Sequence, residues 1–304
     1  MSRPKLICIV GPTAVGKTSF AVSLAKLLDC EVLSSDARQC YKEMRIGTAV
    51  PEKADLAGVP HHFIQHKSIH EGYSVGEFEQ DALKLLAQLH KKHSFAILVG
   101  GSNLYNDAVV KGLDYFPIIP KSVKEHWQMA YTEKGITYLQ QELARLDPDY
   151  HATVDLHNYM RLLRALSVCT VSGMPYSSFI GQQKEERPFD VISIALTMNR
   201  ESLYQRINTR VDQMIVAGLV DEVKSLLPYK TLQALQTVGY RELFPYLEGN
   251  ADLNSCINQV KINTRRFAKR QLTWLRNHPC THQIPYDTVV DESLLLTLGL
   301  KKHI

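Results

Sequence analysis

The sequence predicts an α/β protein with a parallel central sheet, a helical insertion and a helical C-terminal region. Four short apolar runs, residues 6–10, 31–35, 95–99 and 191–196, have the length and composition of buried strands. Between them, segments such as 17–28 and 78–90 repeat apolar residues at three- and four-residue steps, the period of an amphipathic helix. Strands alternating with helices imply a parallel sheet with crossover helices, and ligands then bind beyond the carboxyl ends of the strands.

The first run leads directly into Gly11-Pro12-Thr13-Ala14-Val15-Gly16-Lys17-Thr18. This stretch fits G-x-x-x-x-G-K-[ST] at every defined position and precedes a helix, so the expected core is P-loop NTPase-like. Glycines let backbone N–H groups curl around phosphate oxygens, and the helix N-terminus adds partial positive charge. Lys17 can reach the terminal phosphate, and the Thr18 hydroxyl is a candidate ligand for Mg²⁺. The loop recognises a diphosphate unit, which many molecules own. A nucleotide hydrolase also needs a strand ending in an aspartate that supports Mg²⁺ and water. The run 95–99 ends instead in Gly100-Gly101-Ser102, without a carboxylate.

The second run ends in SSDARQCY, which puts Asp36 on the sheet edge that holds the phosphate loop. A carboxylate there can act as a general base, organise Mg²⁺ through water, or cap the next helix. Arg38 and Gln39 carry planar multi-donor groups of the kind that read base edges. Ser102 brings a hydroxyl to the same rim. Such convergence marks a candidate active site.

Residues 117–188 hold helical segments and no convincing strand, with Pro117, Pro120, Pro175 and Pro188 at the two ends. The expected domains are therefore 1–116 with 189–304, and a helical insertion over 117–188. Beyond Met198 the pattern is helical again over 200–227, 233–247 and 253–276. No acidic residue occurs between Asn254 and Tyr286, while Lys261, Arg265 and Lys269 step by four along one helix face. Ile257, Val260, Phe267 and Trp274 are expected to form the opposing buried face. One-signed charge on a helix favours contact with RNA phosphates. Arg161 and Arg164 lie on another helical segment, where ion pairing within the protein is an equal alternative. His61-His62 lacks further ligands at a spacing suited to a metal, which leaves structural or substrate-lining roles. Trp127 and most tyrosines read as core, with Tyr41 and Tyr240 the candidates for stacking.

Length permits about two domains. Hydrophobic residues at 45% and a net charge of only +4 exclude a disordered chain and a global basic field. No run of about 18 apolar residues exists, and the N-terminus lacks the features of a secretory signal. The six cysteines are scattered without a CxxC pair, so reduced thiols, a cytoplasmic location and no membrane contact are expected.

Eight segments in order carry a resemblance over roughly residues 5–280: GPTAVGKT, SSDARQCY, PHHFI, LVGGSNLY, RLLRALSV, RINTRVDQM, TVGYRE and RRFAKRQLTWLR. Together they resemble the tRNA dimethylallyltransferases, enzymes that move a dimethylallyl group from its diphosphate to N6 of an adenosine 3′ of the anticodon. The resemblance implies that the loop holds an isoprenoid diphosphate, with Mg²⁺, and that no ATP is needed. It implies Asp36 as proton acceptor, Ser102 beside the reacting atoms, and Lys17 and Arg210 on the leaving group. It also implies tRNA contacts at Asp36, Ala37, Arg38, Gln39, Ser102, Lys124, Met160, Arg161, Arg164, Gly239, Tyr240 and Arg241. Arg265 and Lys269 join these from the basic stripe. The partners are then the anticodon stem-loop and dimethylallyl diphosphate, and a monomer is expected because no apolar seam is left over.

Three departures from the family pattern stand out. Ala37 replaces a usual serine, Ser102 and Asn103 replace a usual Thr-Gly pair, and Tyr159-Met160 replaces a polar pair before Arg161. Altered tRNA preference with retained chemistry is the expectation. An ATP-dependent small-molecule kinase is the alternative enzyme, and an RNA-binding protein with an inactive loop is the alternative binder. Intact Lys17, Thr18 and Asp36 argue against the latter.

Overall fold

The computed structural model describes residues 3–182 and 186–300; residues 1–2, 183–185 and 301–304 of the expected domains lie outside the described residues. The chain divides into two compact units, Met1–Lys111 with Arg187–Ile304, and Gly112–Glu186.

The first unit opens with β1 (Lys5–Val10), α1 (Lys17–Leu28), β2 (Val32–Ser34), α2 (Lys53–Leu56), β3 (His61–His62), α3 (Val75–Leu89), β4 (Phe95–Val99) and α4 (Asn103–Lys111). The second unit holds α5 (Lys121–Leu146), α6 (Pro148–Thr153) and α7 (Tyr159–Ser172). The chain then returns through β5 (Asp190–Thr197), α8 (Arg200–Val216), α9 (Leu219–Leu226), α10 (Phe244–Leu247), α11 (Leu253–Asn277), β6 (His282–Pro285) and α12 (Glu292–Thr297).

All strand pairs are parallel, in the order β3-β2-β4-β1-β5-β6. Every residue of β4 is buried, as is every residue of β1 after Lys5, because helices cover both faces of the sheet. One apolar layer joins Leu6, Cys8, Leu98 and Val260, and the other joins Ile7, Ile9, Phe20, Ile97 and Ile207. The Ser74 hydroxyl accepts the Glu77 amide at 3.2 Å while Glu77 accepts the Ser74 amide at 2.7 Å, a capping box that starts α3. Asn199 and Asp252 cap α8 and α11 with their side-chain oxygens.

Two strands escaped the sequence reading. β3 is two histidines and β6 has one buried residue, Ile284, so neither presents an apolar run. The helix expected over 200–227 breaks at Gly218 (φ 97°) into α8 and α9. The helix expected over 233–247 is replaced by a 3₁₀ turn at Gln233–Leu235 and the single turn of α10. Gly239 at φ 98° and Pro245 interrupt any regular i→i−4 pattern there.

In the second unit, α5 and α7 pack around Trp127, Leu139, Leu143, Leu162 and Leu166. Trp127 is core, with its indole N–H donated to Thr170 Oγ1 at 2.9 Å.

Candidate active site

In the β1–α1 loop Gly16 adopts φ 108°, a left-handed backbone that favours glycine, directly ahead of α1; a phosphate cradle is what such a loop can form. Lys17 folds over this loop and donates to the Gly11 and Pro12 carbonyls at 3.0 and 2.8 Å. Burial and the nearby Arg210 guanidinium lower its pKa to about 8, with Asp36 opposing the shift. Two arginines of α8, one turn apart, close the cradle's side. Arg206 donates to the Ala14 carbonyl at 2.9 Å. Arg210 lies near both Asp36 and Arg206, and burial holds it below the usual guanidinium range while Asp36 opposes. Sequence reasoning singled out Arg210 and missed Arg206, although its four-residue spacing puts it on the same face.

Asp36 follows β2 at the same sheet edge. Its Oδ1 accepts the backbone N–H groups of Arg38 and Gln39 at 2.8 and 3.2 Å. No helix follows directly, so Asp36 caps a turn over residues 37–40 and not a helix, with one carboxylate oxygen occupied. The neighbouring turn depends on Gly100, where a Cβ would sit 2.2 Å from Ser35 Oγ and 2.7 Å from its carbonyl carbon. That close approach lets the Ser102 hydroxyl oxygen accept the Ala37 amide at 3.0 Å.

One buried side chain joins these parts, and sequence reasoning missed it. Gln271 of α11, 3% exposed, accepts the Thr13 amide with Oε1 and donates Nε2 to the Gly101 carbonyl, both at 2.8 Å. The available signal was a polar residue on the inward face of α11, about three turns after Val260.

Two cavities open on this edge, of about 920 and 300 Å³. The larger contains Lys17, Thr18, Arg206 and His61; the smaller is more apolar, with Ile207, Val211 and Met214. Thr13, Ala14, Asp36, Arg210 and Phe267 belong to both, so the carboxylate stands where the two spaces meet.

Several expected residues are placed otherwise. Gln39 is not free to read a base: its amide donates to the Thr48 and Ala49 carbonyls at 3.1 and 3.0 Å. Tyr240 is wholly buried, its hydroxyl donating to Glu222 at 2.6 Å, so it cannot stack on a base. Tyr41 is buried too. Gly239 lines the smaller cavity and donates its N–H to Glu242 at 2.8 Å, while Arg241 bonds the same carboxylate at 3.1 Å. His62 pairs with Glu31 at 2.6 Å on the far edge of β2, which makes it structural.

On α11 the stripe is divided. Lys261 pairs with Asp212 at 2.6 Å and Arg265 donates to Asn208 at 2.6 Å, whereas Lys269 is exposed. The expected buried face is corrected at Phe267, 37% exposed; Cys256, Val260, Ala268 and Gln271 are the buried residues. In the second unit Lys124, Met160, Arg161 and Arg164 are exposed, and Arg164 lies over Phe116 at 5.1 Å.

Among the described residues no group of three His, Cys, Asp or Glu forms a metal cage. The Thr18 hydroxyl beside the cradle fits the alternative in which a cation is held by one protein oxygen, phosphate oxygens and water. No helix of the described residues is long and apolar enough to cross a membrane. The described cysteines are all free, with only Cys280 incompletely buried.

A family model described as IPP transferase matches residues 39–278. The tRNA dimethylallyltransferase of Christiangramia forsetii is 51% identical over 274 residues, 90% of this chain and 91% of the relative. That of Flavobacterium psychrophilum is 48% identical over 297 residues, 96% of each chain. The crystal structure of the full-length tRNA isopentenylpyrophosphate transferase from Bacillus halodurans superposes with a TM-score of 0.71 at 37% identity, covering 97% of this chain and 95% of that one. A eukaryotic dimethylallyltransferase acting on tRNA reaches 0.79 at 26% identity, covering 97% and 76%. With a family model spanning most of its length and relatives about half identical almost end to end, this chain is a transferase and belongs to the IPP transferase family.

Proposed function

We propose that this chain transfers the dimethylallyl group of dimethylallyl diphosphate to N6 of the adenosine 3′ of the anticodon in tRNA, releasing pyrophosphate. One observation carries the reading: Asp36 borders both cavities, beside a cradle lined by Lys17 and Arg210. A diphosphate in the cradle presents its prenyl carbon to the place where the carboxylate waits.

The adenine N6 lone pair is delocalised into the ring, so the amine must lose a proton as it attacks. Asp36 keeps one oxygen on the Arg38 and Gln39 amides, which fixes the carboxylate, and the other oxygen takes the N6 proton. The N6–C bond forms as the C–O bond to diphosphate breaks. Charge growing on the leaving group is met by the cradle amides, Lys17, Arg206 and Arg210. Thr18 would hold Mg²⁺, which supplies further neutralisation of the diphosphate when bound. Ser102 holds the Ala37 turn and offers its hydroxyl proton to the reacting groups.

The target base leaves its stack to reach the sheet edge. Half-buried Arg38, exposed Arg241 and Lys269 and, in the second unit, exposed Lys124, Met160, Arg161 and Arg164 are the proposed RNA contacts. The enzyme acts in this reading as a cytoplasmic monomer.

Incubation with unmodified tRNA and dimethylallyl diphosphate, followed by mass spectrometry of the nucleosides, tests the reading. N6-(dimethylallyl)adenosine formed without ATP is the expected result. ATP consumption with a small acceptor, and unmodified tRNA, would establish the kinase instead.

A further inference from the structure

Gln271 has no part in the chemistry above, yet among the described residues it is the one buried side chain that bonds both the phosphate loop and the tip of β4. Its amide has a direction. The carbonyl end faces a donor, Thr13 N–H, and the NH₂ end faces an acceptor, the Gly101 carbonyl. Space for it exists because residue 101 is glycine: a Cβ there would lie 2.5 Å from Nε2. From Gly101 the connection runs on through the adjacent Ser102, whose hydroxyl accepts the Ala37 amide, to Asp36.

We infer that Gln271 is a positioning residue that sets the separation between the leaving-group cradle and the Asp36 carboxylate. This rests on the proposed transfer reaction. In-line displacement demands reacting atoms about 3–3.5 Å apart, and a misplacement of about 1 Å can cost about 100-fold in rate. The cradle and the carboxylate sit on different loops, each free to shift alone without a common anchor. Gln271 supplies that anchor from a third element, α11, whose outer face carries Lys269 and Arg270.

Gln271→Leu keeps the volume and removes both bonds; Gln271→Glu keeps the shape and can restore both only when protonated. For Gln271→Leu the expected result is a fall of about 10- to 100-fold in single-turnover transfer, with stem-loop affinity unchanged. Inorganic pyrophosphate should bind about tenfold more weakly as the Thr13 arm loosens. For Gln271→Glu the rate relative to wild type should rise as pH falls, because the ionised carboxylate opposes the Gly101 carbonyl and the neutral acid donates to it. A ratio that stays flat with pH, wild-type turnover in Gln271→Leu, or equal loss of stem-loop binding overturns the inference. Should the leucine variant fail to fold, the glutamate variant at two pH values decides alone. Absence of transfer in the wild type defeats the proposed function, while pyrophosphate affinities still decide whether Gln271 holds the loop.

Discussion

The Ser102 hydroxyl oxygen accepts the Ala37 amide at 3.0 Å, so a side chain at the tip of β4 holds the turn that carries Asp36. The contact needs only a hydroxyl oxygen, which serine and threonine both supply. Ser102→Ala should slow single-turnover transfer about tenfold or more by releasing that turn. Ser102→Thr, with the hydroxyl kept and its rotation restricted, should transfer at the wild-type rate. Equal rates for all three proteins would remove Ser102 from the positioning of Asp36.

Because one Asp36 oxygen caps its own turn, asparagine and alanine separate its two roles. Asp36→Asn retains an acceptor for the Arg38 and Gln39 amides but has no carboxylate to take a proton. It should fold like wild type, bind the stem-loop, and lose about 100-fold or more in transfer. Asp36→Ala should lose the cap as well, at about 0.5–2 kcal/mol of stability. Thermal melts beside rate measurements distinguish them, and near-wild-type turnover in either variant excludes Asp36 as the base.

The cradle and the buried strands were legible in the sequence because each has a local signature. Gly16-Lys17-Thr18 follows an apolar run, and β1 and β4 are apolar because helices cover both their faces. Asp36 could be placed from topology alone. Gln271 and Glu222 could not, since what they hold is distant in sequence: Thr13 and Gly101 for one, Arg45 to Gly47 for the other. Tyr240 was misread for the same reason. Its place in a segment associated with RNA says nothing of the carboxylate it faces.

Lys17 should make diphosphate affinity depend on pH. Its pKa, lowered to about 8 by burial and Arg210, means the ammonium is full below that value and lost as pH rises through it. For the free enzyme, kcat/KM for dimethylallyl diphosphate should therefore fall above about pH 8. Stability should move the other way: the unfolded chain keeps this proton up to the ordinary lysine value, so stability rises from about pH 8 toward that value. Lys17→Arg should remove both trends, and a kcat/KM profile flat from pH 7 to 9.5 in wild type would contradict the assignment.

Tyr240 and Glu222 together shape a wall of the site. Glu222 accepts the Arg45, Ile46 and Gly47 amides at 3.0, 2.7 and 3.0 Å and the Tyr240 hydroxyl at 2.6 Å. Tyr240→Phe deletes one charge-assisted bond in the core and should cost about 1.5–3 kcal/mol, a Tm drop of roughly 2–6 °C. Stem-loop affinity should be unchanged in the folded variant. Gly47→Ala should be worse, because its Cβ would lie 2.5 Å from the buried Tyr240 ring. A Tyr240→Phe protein as stable as wild type but weak in RNA binding would reinstate a surface role for this tyrosine.

The division of the α11 stripe can be read in salt dependence. Lys261 is held by Asp212 and Arg265 by Asn208, while Lys269 projects into solvent. A lysine that replaces a counterion on a phosphate contributes to the slope of log K against log salt; one neutralised within the protein does not. Lys269→Ala should weaken stem-loop binding for every sequence alike and reduce the slope by about 1. Lys261→Ala should leave the slope unchanged and act on thermal stability, where a partly exposed surface pair contributes about 0–1 kcal/mol. The reverse pattern would mean that Lys261 exchanges Asp212 for a phosphate on binding, and that the ion pair at 2.6 Å belongs only to the RNA-free protein.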